Sequence, residues 1–169
     1  MTDIDNFRLE VKTSLIDNAG NGVFTTQEIK DKDIICEYRG TVICKKDDPK
    51  DSDTSKDINL RNDYIIRGNT IGSMVNDLVD FSPYSVEETI LLLITGKLKR
   101  TKRDNVALTY NCQYIVDSDR VFIIALRDIK VGEELYCEYG KSYWICRLLN
   151  AGHIKINDET YKQYKNNVK

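Results

Sequence analysis

Apolar positions in this chain come in short bursts. The runs "FRLEV", "GVFTT", "DIICEYRGTVIC", "DYIIRGNTIG", "NVALTYNCQYIV", "RVFIIALRDI" and "ELYCEYG" are rich in β-branched and aromatic residues and are punctuated by Gly, Asp and Asn. Such runs predict strands at short intervals, without the long intervening helices of a βαβ chain. The expected fold class is therefore mainly β with small helices. One interruption reads as a helix: "SVEETILLLITG" offers Ser85 as a cap, Glu88 three residues later as in a capping box, and Gly96 as a stop. A second, weaker helix is expected over "DETYKQYK" near the C-terminus. The polar, aperiodic stretch from Lys45 to Asp57, "KKDDPKDSDTSKD", is expected to be an exposed and mobile loop. No internal repeat stands out.

Composition narrows the classes. A chain of 169 residues, 41% hydrophobic and 31% charged, suits a single domain spanning 1–169 with a real core. No stretch approaches the roughly 18 apolar residues of a membrane-spanning helix. The start "MTDIDNFRLE" has neither the basic opening nor the apolar centre of a signal peptide, so an intracellular protein is expected. Five cysteines without a C-x-x-C pair and a lone histidine, His153, argue against a disulfide framework and a structural metal site. A histidine-based hydrolase would depend on His153, which sits in the polar "NAGHIKIND". The net charge of −2 favours a cationic partner over a broad nucleic-acid face. The basic run "KLKRTKR" (Lys97, Lys99, Arg100, Lys102, Arg103) reads as a solvated loop, with contact to nucleic-acid phosphates as the alternative.

Four segments carry candidate chemistry. "NAGNGVFTT" has Gly20 and Gly22 around Asn21, a turn whose backbone can approach a ligand. "IICEYRG" sets Tyr38 beside a glutamate on an apolar strand, where core packing with a satisfied hydroxyl is an equal alternative. "GSMVND" delivers Asn76 and Asp77, and "GEELYCEYGKSYW" gathers Cys137, Tyr139, Tyr143 and Trp144. Amides, phenols and glycine turns can hold a purine-bearing cofactor and shape a narrow aromatic channel.

Taken in order, "GNGVF", "CEYRG", "GSMVND" and "RVFIIALRDIKVGEELYCEYGKSYW" resemble the SET domain of protein lysine methyltransferases over about residues 20–144, most like the small stand-alone SET proteins of large DNA viruses and protists. The resemblance implies a SET-domain fold of short curved sheets with a C-terminal pseudoknot, one inserted helix within about 78–104, and a closing segment, 145–169, in place of the cysteine-rich zinc segment that follows many SET domains. It implies S-adenosyl-L-methionine as cofactor and a lysine of a basic protein as acceptor, with a histone tail foremost and a nuclear or chromatin location in that case. By resemblance Tyr139 is the catalytic tyrosine; Tyr38, Cys137 and Tyr143 line the substrate channel. Gly20, Asn21, Gly22, Asn76, Asp77 and Trp144 serve the cofactor. Glu133 and Glu134 are expected to serve the turn and a neighbouring pairing.

Three positions depart from the family pattern. Asp77 stands where histidine is usual, Ser73 replaces an arginine, and Asn105, which resembles the motif's second asparagine, is separated from Asn76 by the insert. Cys137 occupies a position that tends to be Phe or Tyr, which favours adding more than one methyl group unless Tyr143 fills the same space from the other direction. Asp77 and Ser73 also leave room for a different function, a SET-derived module that binds a basic peptide without transferring methyl groups.

Overall fold

The computed structural model describes residues 8–49, 52–79, 84–97, 102–103 and 106–150. The chain divides into two compact units: Met1–Leu78 with Arg103–Glu138, and Val79–Lys102 with Tyr139–Lys169.

The first unit is built from small antiparallel sheets. Strands β1 (Leu9–Thr13) and β2 (Asn21–Thr25) form a hairpin, with Thr13 opposite Asn21 and Leu9 opposite Thr25. Strand β3 (Ile34–Glu37) opens the run expected as one long strand, and β4 (Gly40–Cys44) continues it after a break. Strand β4 forms a three-stranded sheet with β5 (Asp57–Asn59) and β6 (Tyr64–Gly68) in the order β4-β6-β5. After the two-residue strands β7 (Lys102–Arg103) and β8 (Val106–Ala107) come β9 (Cys112–Asp117) and β10 (Arg120–Ala125). These join β3 in the order β3-β10-β9, with a register irregularity between Ile123 and Ile124.

The predicted run "DIICEYRGTVIC" thus belongs to two sheets. It leaves β10 at Tyr38, whose N–H still bonds the Val121 carbonyl, and joins β6 from Gly40. A Cβ at Gly40 would strike the Arg67 carbonyl across the ladder, so only glycine lets the two backbones meet there.

These strands and the turns between them feed one main core. Val23, Ile29, Ile35, Cys36, Val75, Cys112, Ile123, Ala125, Ile129, Leu135 and Cys137 are buried together. Each large aliphatic side chain among them contributes roughly 1.5–3 kcal/mol of hydrophobic stabilisation. The stretch "ELYCEY", expected as a strand, makes isolated bridges instead: Glu134 with Phe24 antiparallel, then Tyr136 with Asn76 and Cys137 with Cys112, both parallel. A late segment thereby pairs with three stretches that precede it by many residues.

A further pairing joins two short turns whose likeness the sequence does not advertise. Ile29 and Ile129 exchange both backbone hydrogen bonds, at 3.0 and 2.8 Å, from two turns of matching form, "QEIKDKD" and "RDIKVGE". The identities are too few to see without the pairing.

The loop from Lys45 to Asp57 is more ordered than its composition suggests where it is described. Lys45–Asp47 makes a turn of 3-10 helix, and Arg67 is gripped by Asp48 and Asp57 at 2.7–3.1 Å. Those two carboxylates raise the Arg67 pKa, against the opposing effect of burial.

The second unit is helical. Helix α1 (Val86–Thr95) has the expected capping box, with Ser85 accepting from the Glu88 N–H and Glu88 reaching back to the Ser85 N–H, and it ends on Gly96 in the left-handed region. Helix α2 (Lys141–Asn150) was not anticipated and packs against α1. Ile90, Leu93 and Ile145 are buried. No described helix is long and apolar enough to cross a membrane. The helix expected over "DETYKQYK" and His153 lie outside the described residues.

Candidate functional site

The β1–β2 hairpin closes through Ser14 N–H to the Gly20 carbonyl, 2.8 Å, with Asn18 and Gly20 both at positive φ. That turn ends by placing Asn21 at the surface and Gly22 in the interior. Gly22 has a specific reason to be glycine, since a Cβ there would run into the Glu134 carboxylate.

Glu134 is almost fully buried, at 2% exposure, and its carboxylate is the acceptor on which the unit's loops converge. The Ser14 hydroxyl and the Asn76 amide donate to Oε1, at 2.7 and 3.2 Å. The Leu15 N–H and the Tyr136 hydroxyl donate to Oε2, at 2.7 and 2.9 Å. Each donation matters because a buried carboxylate must have its lost hydration replaced. Asn76 shares the same nitrogen with the Asn21 carbonyl at 2.9 Å and the Ser14 hydroxyl at 3.2 Å. So Asn21, Gly22 and Asn76, three of the expected cofactor residues, are brought together, and Glu134 is what ties them.

Sequence reasoning missed this role for Glu134, and it missed Asn111 altogether. The Asn111 side chain accepts from the Tyr136 N–H at 2.8 Å and donates to the Glu134 carbonyl at 2.7 Å, standing in for a neighbouring strand where the regular ladder stops. An asparagine at the head of the apolar run "CQYIV" was the available signal. Asn105 lies outside the described residues. Glu133, as expected, serves its turn: it accepts from the Lys130 N–H and from Arg127. Burial raises its pKa, but these two partners together outweigh it and the net shift is downward.

The remaining expected residues have these surroundings. Asp77 is buried and accepts a short 2.5 Å hydrogen bond from the Tyr110 hydroxyl, so the carboxylate at the usual histidine position is engaged within the protein. Ser73 bonds the Thr70 carbonyl. Tyr38 is 3% exposed, with its ring edge-on to Tyr114 and its hydroxyl on the Lys56 carbonyl at 2.6 Å. Cys137 is fully buried, its sulfur 3.0 Å from that of Cys112, and burial followed by the neighbouring thiol pushes its pKa up. Glu37, next to Tyr38, is gripped by Arg120, which with Arg39 holds its pKa at about 2 against the effect of burial.

In the second unit Tyr139, Tyr143 and Trp144 form one aromatic group. Tyr139 stacks on Trp144 at 5.7 Å and 16°, and meets Tyr143 edge-on at 4.8 Å. Gly140, at φ +88°, makes the bend from Tyr139 into α2 that lets all three rings meet. Lys97 is exposed; Lys99 and Arg100 are outside the described residues, and only the backbone of Lys102 and Arg103 is described. Among the described residues no group of His, Cys, Asp and Glu could hold a metal ion.

The SET domain family model matches residues 20–140, well over half of the chain, from Gly20 of the hairpin through Gly140, just after Tyr139. The chain belongs to the SET-domain family. A search of curated proteins finds no match. SET domains are generally protein lysine methyltransferases that use S-adenosylmethionine, and the SET match here contains the hairpin glycines, Asn76 and Tyr139. The small antiparallel sheets of the first unit, with only two helices among the described elements, are in keeping with a SET domain.

Proposed function

We propose that the protein transfers methyl groups from S-adenosyl-L-methionine to the ε-amine of a lysine in a basic protein, with a histone tail as the substrate. The observation that carries the reading is that one SET match runs through both Asn76 and Tyr139. The donor set suits such a cofactor. The Asn76 nitrogen is committed to protein acceptors, so its oxygen is the atom offered to an N–H of the ligand, and Asn21, Gly22 and the backbone of Asp77 stand with it. Bound, the cofactor supplies a methyl group on a positive sulfonium.

The protein's own task is then to orient and desolvate. Tyr139 is the catalytic tyrosine, its phenol oxygen a fixed dipole beside the reacting amine. By family resemblance Tyr143 belongs to the lysine channel, where loss of water lowers the amine's pKa toward neutrality and releases its proton. By family resemblance Trp144 would also serve the cofactor. The small side chain of Cys137, taken up among buried thiols, leaves no phenol to hold a blocking water, so products beyond monomethyl lysine are expected. A net charge of −2 suits an extended basic peptide, and histone methylation would place the protein on chromatin. Phosphates near a chromatin substrate are the partner that suits Lys97, Lys99, Arg100, Lys102 and Arg103.

The test is incubation with labelled S-adenosylmethionine and whole histones, followed by mass spectrometry of the labelled residue. Label on a lysine, progressing past one methyl, is the expected result. Peptide binding with no transfer would favour the non-catalytic module.

A further inference from the structure

Four donors from three separate stretches of chain meet on one buried carboxylate, and one of them is the amide of Asn76. This arrangement settles which way that amide faces. The Asn21 carbonyl and the Glu134 carboxylate oxygen can only accept, so the atom facing both must be the Asn76 nitrogen. Its Oδ1 is left as the acceptor for a ligand N–H, and no described residue donates to it.

We propose that Glu134 is the positioning residue of the cofactor site, acting through Asn76: it holds the amide in the orientation that presents Oδ1, and anchors the Ser14–Gly22 hairpin turn beside it. The proposal rests on the cofactor reading of Asn21, Gly22 and Asn76 given above. A purely architectural role is the competing explanation, and the molecule contains its own control. The matching turn ending at Asp33 is followed by Ile34 where the second is followed by Glu134. That turn forms without a carboxylate at this position, so the turn does not require one.

Glutamine at 134 distinguishes the two roles. It keeps the size of the side chain but must present an NH₂ to one pair of donors. If it faces Asn76, two donors oppose each other and the Asn76 amide turns over, offering the ligand a donor in place of an acceptor. Calorimetric titration with S-adenosylhomocysteine is the measurement. Glu134→Gln should weaken binding at least tenfold in the parent, yet less than twofold in an Asn76→Ala background, because a residue acting through Asn76 has nothing left to orient. Binding within twofold of the parent, or losses that multiply in the double variant, would overturn the proposal.

Should Glu134→Gln fail to fold, Ser14→Ala takes its place in the same cycle, since Ser14 bonds both Oε1 and the Asn76 nitrogen. A loss of about threefold that disappears with Asn76→Ala is expected on the scale of one neutral hydrogen bond; a loss that persists there would overturn the idea. Failure of the parent itself to bind S-adenosylhomocysteine would remove the cofactor reading, and this proposal with it.

Discussion

The two turns that meet at Ile29 and Ile129 begin alike and end in different work. In each, a lysine N–H donates to an acid three residues on, Lys30 to Asp33 at 2.9 Å and Lys130 to Glu133 at 2.7 Å. In each, that acid's N–H returns to the lysine carbonyl at 3.1 Å, and the residue just before the acid has positive φ, Lys32 at 69° and Gly132 at 81°. Each is followed by a strand-like stretch ending in Cys-Glu-Tyr, but the second takes one residue more to arrive. In the first arm Ile34 is hydrocarbon, Glu37 is clamped by arginine, and the Tyr38 hydroxyl is bound by backbone. In the second, Glu134 is the buried acceptor, Glu138 is exposed, and Tyr139 joins an aromatic group. Similar local sequence thus does structural work once and carries the candidate chemistry the other time.

The largest effect should come from making the second arm like the first. Glu134→Ile strips the acceptor from the Ser14 hydroxyl, the Leu15 N–H and the Tyr136 hydroxyl; with each buried unsatisfied group costing about 1–3 kcal/mol, a loss of at least about 3 kcal/mol is expected in urea unfolding. Stability equal to the parent would mean the two arms are equivalent after all. Next come the paired tyrosines. Tyr139→Phe should fold normally and lose at least tenfold in turnover, about 1.4 kcal/mol, whereas Tyr38→Phe should lose about 1 kcal/mol of stability with the Lys56 hydrogen bond.

The acid clamp gives a smaller, pH-dependent effect. Glu37 has a folded pKa of about 2 against an ordinary 4.5. Unfolding therefore takes up a proton in that interval, so its stabilisation is complete above pH 4.5 and is lost as the pH falls toward 2. Glu37→Gln should flatten that part of the stability profile, by no more than about 1 kcal/mol for so accessible a pair; an unchanged acid limb would show that the clamp contributes nothing. The smallest change is Lys32→Gly, which gives the first turn the glycine of the second. Removing a Cβ from left-handed backbone should raise stability by up to about 1 kcal/mol, read as a higher melting temperature.

Local features were the legible ones. The Ser85, Glu88 and Gly96 helix ends follow from spacing alone, as do most strands, because caps and alternation are written within a few residues. The grouping of Asn21, Gly22 and Asn76 was legible only through family resemblance. What could not be read were the partners assembled from afar: Glu134 draws on Ser14 and Asn76, Asn111 clamps a backbone more than twenty residues away, and Arg67 orders a loop whose composition suggests none. In each case the polar residue's complement is distant in sequence and is supplied only by the fold. Helix α2 escaped because "KSYWICRLLN" begins inside the motif that had already been assigned to the site.

The cysteines carry a consequence of another kind. Cys146 on α2 is exposed, Cys44 is half-buried, and Cys36, Cys112 and Cys137 are shut in the first unit's core. Thiol-reactive reagents attack thiolates they can reach, so alkylation proceeds as a timed sequence: Cys146 first, Cys44 after it, and the core trio only when the first unit opens. Mass spectra of alkylated protein would then count openings of that unit directly, using labels the chain already contains.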